Sequence, residues 1–344
     1  MIRKDIRALT AYHVPDASGM IKLDAMENPF SLPQDLQAAW LETLKQVDIN
    51  RYPDANMQAL RETIAQREGL HAEQVLLGNG SDEIIQMLLL GNEPGTCVTP
   101  APTFVMYNLI SHWVKRSVAT VPLGKDFSLD PNTFLQVCAR EKAVIAFLAC
   151  PNNPTGNLWS RDTVEKIIRE FRGLVVIDEA YAPFSESTYT ALIAPDVMVL
   201  RTFSKLGWAG LRLGYVLGDA KVIADLNKIR MPYNINSLTQ ASATFFLQHR
   251  DVFDQQARDI CHERSRMMAS LMGMDDIEVF PSQANFILLR VKDADSVFEA
   301  LKEKNILIKN MHGQGELLSE CLRVTIGTAD ENNTFLSALR EVLA

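Results

Sequence analysis

Residues 200–215 read Leu200-Arg-Thr-Phe-Ser-Lys205-Leu-Gly-Trp-Ala-Gly-Leu-Arg212-Leu-Gly-Tyr215, and this stretch decides how the rest of the chain is read. It starts at the end of one apolar run, Val197–Leu200, and enters another, Leu213–Leu217. Runs of that length, apolar on both faces, suit buried strands of a sheet covered by helices. At the turn, Lys205 follows the hydroxyls of Thr202 and Ser204 and precedes a Gly-rich segment and Arg212. A lysine at a strand end among anion-binding groups suits an enzyme of pyridoxal phosphate. Its amine forms a Schiff base with the cofactor aldehyde, while hydroxyls and a guanidinium hold the phosphate. Ser-Lys pairs are also common on surfaces, so the reading needs further segments.

Working outward, short apolar runs alternate with helical patterns. The runs are Val75–Leu77, Cys97–Thr99, Val118–Val121, Val144–Ala149, Leu174–Ile177, Val197–Leu200 and Leu213–Leu217. Strand, crossover helix, strand is the signature of an α/β fold, here with a mainly parallel seven-stranded sheet. Before it, the spacing of Met57, Leu60 and Ile64 predicts a helix from about 54 to 68. Residues 1–30 read as an arm with one short apolar run, Met20–Leu23, and 31–235 as the large domain. The pattern changes near 231–236. A long helical stretch is expected over about 237–272, then strands at 277–280 and 285–291, a helix at 293–304, strands at 306–309 and 321–327, and a last helix from about 329. That makes 236–344 a smaller α+β domain. Ligands of such sheets bind at the carboxyl ends of the strands.

Three segments fall at those ends. Gly78-Asn-Gly80-Ser81-Asp82-Glu83 follows a strand and opens an apolar helix. Gly80 permits close backbone approach, and free amides at Ser81 and Asp82 favour an anion, although the same residues make a well-capped helix. Pro151-Asn-Asn153-Pro-Thr-Gly156 is either a simple turn or a way to present the Asn153 amide to a ring oxygen. Val175-Val-Ile-Asp178-Glu179-Ala-Tyr181 delivers Asp178 at a strand end. A carboxylate there keeps a pyridine nitrogen protonated, or else caps the next helix, and Tyr181 is a candidate for the ring oxygen or the Schiff base. Phe104 is either a ring-stacking residue or an ordinary core aromatic, and the same holds for Tyr107.

Composition narrows the class. Of 344 residues, 47% are hydrophobic and 22% charged, which is ordinary for a globular protein. A net charge of −8 with both signs interspersed argues against nucleic acid as a main partner. The longest apolar runs are too short to span a bilayer, so no membrane partner is expected. Five cysteines without CxxC spacing, and no signal-peptide pattern at the N-terminus, point to a reducing, cytoplasmic setting. The six histidines have no metal-ligand spacing; His262-Glu263 lacks the second histidine of a zinc helix, and no metal is expected.

Taken in order, the Gly-Ser-Asp turn, Asn-Pro-Thr-Gly, Asp-Glu-Ala-Tyr, Ser-Lys and the following Arg resemble the fold-type I PLP-dependent aminotransferases over nearly the whole chain. More narrowly, Thr10-Ala-Tyr12, Leu23-Asp-Ala-Met-Glu-Asn28-Pro29, Arg51-Tyr52-Pro-Asp54, Thr202-Phe-Ser-Lys205 and Cys321-Leu-Arg323-Val-Thr-Ile-Gly-Thr328 are similar to the histidinol-phosphate aminotransferases. The resemblance implies that Lys205 carries the cofactor and shuttles the proton, Asp178 pairs with the ring nitrogen, and Asn153 and Tyr181 contact the ring oxygen. It further implies that Ser81, Asp82, Thr202 or Ser204, and Arg212 hold the phosphate, and that Phe104 lies on the ring face. Tyr52 is implied to reach the neighbouring subunit's cofactor in a homodimer. Arg323 is implied to bind the substrate carboxylate, with Tyr12 and Asn28 lining the substrate site. Lys309 stands where the family often has a second Arg. The implied reaction is ping-pong amino transfer between histidinol phosphate and 2-oxoglutarate in histidine biosynthesis. The alternatives are an aromatic amino acid aminotransferase, a threonine-phosphate decarboxylase-like enzyme, or a non-catalytic PLP-binding regulator.

Overall fold

A computed structural model describes residues 1–11 and 14–344. In chain order the strands are β1 (Ile21–Lys22), β2 (Val75–Asn79), β3 (Thr96–Ala101), β4 (Val118–Pro122), β5 (Ala143–Ala149), β6 (Leu174–Asp178), β7 (Val197–Thr202), β8 (Leu213–Leu217), β9 (Ile277–Val279), β10 (Phe286–Val291), β11 (Ile306–Leu307), β12 (Lys309–Asn310) and β13 (Cys321–Thr325). All seven apolar runs become strands of one sheet, ordered β2-β8-β7-β6-β5-β3-β4. Only β8 runs antiparallel to its neighbours. Its first residue therefore lies at the same edge as the last residues of the other six strands, which brings Arg212 to the end that carries Lys205.

The sheet is buried on both faces. Val175, Ile177, Val197 and Val199 pack into one core, and Phe147, Val176, Met198, Leu200 and Val216 into another on the opposite face. Each fully buried aliphatic side chain contributes about 1.5–3 kcal/mol, so a one-residue register slip would invert many such contributions at once. The same period of two sets Asp178 on the Val176 face. There the helices Ser81–Gly91 and Met106–Trp113 cover the sheet.

A second, antiparallel sheet has the order β12-β13-β10-β9 and packs with the helices Arg250–Met272, Ala294–Glu303 and Ala329–Leu343 into a separate core. The arm joins this core. β1 pairs in parallel with β11, and Leu23 and Met26 are buried among its side chains.

Three expected elements differ in detail. The helix expected from 54 begins at Gln58, because Asp54 accepts hydrogen bonds from the Asn56 and Gln58 amides and folds the preceding residues into a turn. The single helix expected over 237–272 is two, Ser237–Gln248 and Arg250–Met272. They break at His249, whose φ of −111° and ψ of 28° are not helical. The strand expected over 306–309 splits, because β11 is drawn to the arm and β12 to β13.

Candidate active site

The carboxyl ends of the large sheet open onto a cavity of about 240 Å³. Asp178, the last residue of β6, is 4% exposed. Its Oδ1 accepts the Ala180 amide at 3.0 Å and its Oδ2 accepts the Tyr107 hydroxyl at 2.6 Å. Burial pushes its carboxyl up to about 6, and these two donors oppose the rise. Glu179, the next residue, turns away and accepts Arg201 at 2.7 Å, and Arg201 also reaches Glu68 at 2.6 Å. The Asp-Glu pair is thus divided between a cavity group and a buried ion pair that ties β6 to β7.

Lys205 sits one turn beyond β7. Its Nζ donates to the Ala25 carbonyl at 3.2 Å and lies 5.8 Å from the Tyr181 ring centroid. Burial first, then the positive charge of Arg323 and that of Arg212, bring its ammonium down to about 8. An amine with that value is in part neutral near pH 7, as proton transfer requires.

An anion cradle lies at the same end. Thr202 Oγ1 donates to Ser204 Oγ at 3.0 Å, Arg212 Nη1 donates to Ser204 Oγ at 3.5 Å, and Arg212 Nη2 stands 3.8 Å from Asp82. Two glycines permit this crowding. Gly80 has a φ of +79°, and a Cβ there would lie 2.7 Å from Arg212 Nη2. A Cβ on Gly214 would lie 2.6 Å from the Ser81 amide nitrogen. Both open the start of the helix Ser81–Gly91, where unpaired amides and the helix dipole favour an anion. Hydroxyls, a guanidinium and a helix N-terminus at one end, with a buried carboxylate, a lysine and an amide lining the same cavity, form a donor set that fits pyridoxal phosphate.

Asn153 and Tyr181 also line the cavity. Asn153 Oδ1 accepts Arg323 Nη1 at 2.5 Å, so the group it has to offer a ligand oxygen is its Nδ2 donor. Tyr181 is buried edge-on to Phe286, with centroids 5.2 Å apart. Phe104 lines the cavity and meets Tyr107 edge-on. Arg323 donates to the Asp24 carbonyl at 3.0 Å, which binds β13 to the arm. Lys309 lies directly across the ladder from Arg323.

Other expected residues stand elsewhere. Asn28 donates to the Leu206 carbonyl and to Gln256, so it holds the turn after Lys205. Tyr52 is 80% exposed, stacks on Tyr233 at 4.5 Å and is not among the residues that line the cavity. Tyr12 lies outside the described residues. Conversely, Ala25, Met26 and Glu27 wall the cavity, and Tyr107 reaches Asp178. The arm motif signalled the first three only as a resemblance. Tyr107 carried no signal beyond being an aromatic near a strand end. Among the described residues no group of three or more His, Cys, Asp or Glu is placed to hold a metal, and no helix is long and apolar enough to cross a membrane.

Comparison with known proteins agrees with this geometry. The profile of the family "Aminotransferase class I and II" matches residues 18–339. Histidinol-phosphate aminotransferase 2 of Nitrosococcus oceani is 48% identical over 346 residues, covering 98% of this chain and 96% of that one. Histidinol-phosphate aminotransferase 1 of Burkholderia lata is 46% identical over 349 residues, covering 100% and 98%. The crystal structure of histidinol-phosphate aminotransferase from Sinorhizobium meliloti in complex with pyridoxal-5'-phosphate superposes with a TM-score of 0.89 at 24% identity, covering 99% of this chain and 97% of that one, and so shares the fold. With a profile match along nearly its whole length and relatives close to half identical end to end, this chain belongs to the class I and II aminotransferases, in the branch of the histidinol-phosphate aminotransferases.

Proposed function

We propose that this protein transfers the amino group of L-histidinol phosphate to 2-oxoglutarate, using pyridoxal phosphate, as a step of histidine biosynthesis. The observation that carries the reading is the single cavity into which Lys205, Asp178, Asn153 and Tyr181 converge with the Thr202, Ser204 and Arg212 cradle. Full-length identity to histidinol-phosphate aminotransferases favours this substrate over an aromatic amino acid or a decarboxylation. When bound, pyridoxal phosphate supplies an aldehyde carbon that takes the amino group and a ring that accepts the electron pair of the breaking Cα–H bond.

The chain's own residues do the rest. Thr202, Ser204, Arg212 and the amides of Ser81 and Asp82 hold the phosphate. Asp178 binds the ring nitrogen and keeps its proton there. Asn153 and Tyr181 fix the ring oxygen, and Phe104 limits the ring face. Lys205, its ammonium lowered to about 8 by its surroundings, would take the proton from the substrate Cα and return it to the former aldehyde carbon, on the far side of the transferred nitrogen. Arg323 grips the carboxylate of glutamate or 2-oxoglutarate as a fork. Lys309, a point charge across the ladder, serves the phosphate of histidinol phosphate. Asn28 and Tyr12 complete the substrate side, Asn28 by holding the Lys205 turn.

A homodimer follows in this reading, with Tyr52 reaching the neighbouring site. Its support is an exposed apolar surface in the same two segments, where Ile49 and Met231 stand 82% and 67% exposed beside the Tyr52–Tyr233 stack. The division into an arm, a large domain to residue 235 and a small domain from 236 belongs to the same proposal. So does a cytoplasmic location, with which five cysteines free of disulfides accord.

The test is a single-turnover absorbance titration of the PLP-loaded protein with L-histidinol phosphate, run beside L-phenylalanine and L-glutamate. Conversion by histidinol phosphate at low concentration is expected, with glutamate converting as the second substrate. Conversion by phenylalanine and not by histidinol phosphate would overturn the assignment.

A further inference from the structure

Tyr107 has no part in the proposed reaction, yet it makes the shortest hydrogen bond to Asp178. It lies in the first turn of the helix Met106–Trp113, is 0% exposed, and donates its hydroxyl to Asp178 Oδ2 at 2.6 Å. Its ring is fixed by stacking on Phe147 of β5, with centroids 4.7 Å apart and planes at 13°, and Phe104 closes on its edge at 5.4 Å. A phenol so enclosed is stiff. Burial, together with the carboxylate beside it, pushes its own ionisation well above the ordinary tyrosine range, so it is a donor at every working pH. With the Ala180 amide on Oδ1, the two donors fix the plane of the carboxylate.

We infer that Tyr107 is a positioning residue that holds Asp178 ionised and aimed, so that the apo-protein presents a ready anion to the ring nitrogen of its cofactor. This rests on the reading of Asp178 as the partner of that nitrogen. The reasoning is electrostatic. A buried carboxylate tends to take up a proton, and a proton on Asp178 abolishes its charge just where a cation is to be bound. The charges acting on it are those of Asp82 and Glu179, both of which favour its protonated form, while the nearby hydroxyl of Tyr181 and thiol of Cys150 stay neutral. Tyr107 and the Ala180 amide oppose them. A hydrogen bond to a charged group is worth about ten- to a hundredfold in an equilibrium.

The experiment titrates apo-protein with pyridoxal phosphate between about pH 5.5 and 8.5, for wild type, Tyr107→Phe, Asp178→Ala and the double variant. Tyr107→Phe should weaken binding at least about tenfold at neutral pH. It should also shift the acid-side loss of affinity to higher pH, because the carboxyl rises when its donor is removed. The double variant should bind no worse than Asp178→Ala alone, since Tyr107 acts through that carboxylate. That comparison stands even if Tyr107→Phe alone fails to fold, because the double variant leaves no orphaned acceptor. Binding by Tyr107→Phe within twofold of wild type, an unmoved pH midpoint, or losses that multiply in the double variant would overturn the inference. Failure of the wild type itself to bind pyridoxal phosphate would instead overturn the functional reading.

Discussion

The two ends of the cavity are built differently. At the cofactor end, each group is delivered by its own strand. Asp178 ends β6, Thr202 ends β7, Arg212 precedes β8, and Ser81 follows β2 after the single residue Gly80. At the proposed substrate end, Arg323 and Lys309 come from a separate antiparallel sheet. Arg323 is tied to the cavity wall through Asn153 at 2.5 Å and to the arm through the Asp24 carbonyl at 3.0 Å, and Lys309 pairs with it across the ladder. Ala25, itself in the arm, accepts from Lys205. One end therefore depends on the register of one sheet, and the other on the docking of two sheets and an arm. The first is rigid by construction. In the proposed reading, the second is where specificity is set.

The comparison is broken most severely at Lys205. Lys205→Ala should fold, yet lose amino transfer by about 10⁴-fold or more, read by single-turnover absorbance. Normal turnover would remove the lysine from its role. Next, Asp178→Ala should weaken cofactor binding and lower kcat by about a hundredfold, as expected for a charged hydrogen bond. An unaffected rate and affinity would leave the cofactor end without its anion.

Arg323→Lys sharpens the contrast. Losing the fork should raise KM for 2-oxoglutarate by about ten- to a hundredfold. Cofactor affinity should stay within a few fold. Equal losses in both would show that the two ends are not separable.

The smallest effect is on stability. Folding brings the Lys205 ammonium from its ordinary 10.5 to about 8. Between those values the unfolded chain holds the proton and the folded one does not, so stability rises with pH across about 8 to 10.5, and the destabilisation is fully present below about 8. Apo Lys205→Ala should then melt a few degrees above apo wild type at pH 7, an effect on the order of 1–2 kcal/mol after solvent screening. The gain should fade toward pH 10. A calorimetric scan at both values checks it, and a lower Tm at pH 7 would contradict the assigned shift.

The seven strands of the large sheet were legible as short, two-sided apolar runs, and the cofactor motifs could be placed at their ends before any coordinates. Local periodicity carries that information, because a buried strand shows its period of two in its own residues. It did not reveal the break at His249, which depends on one residue's backbone angles inside a helical pattern. Nor did it reveal that Ile306–Leu307 pairs with the arm, a contact between segments nearly the whole chain apart.

The residues of the site divide in the same way. The identities of Lys205, Asp178, Asn153 and Arg212 followed from chemistry joined to strand ends, and a family resemblance named the substrate groups. Only the folded chain decided that Glu179 faces Arg201 while Asp178 faces the cavity, that Asn28 braces the Lys205 turn, and that Tyr107 holds the carboxylate. Side-chain partners across 71 or 299 residues leave no trace in local pattern. They are set by which faces pack together, and packing is a property of the whole fold.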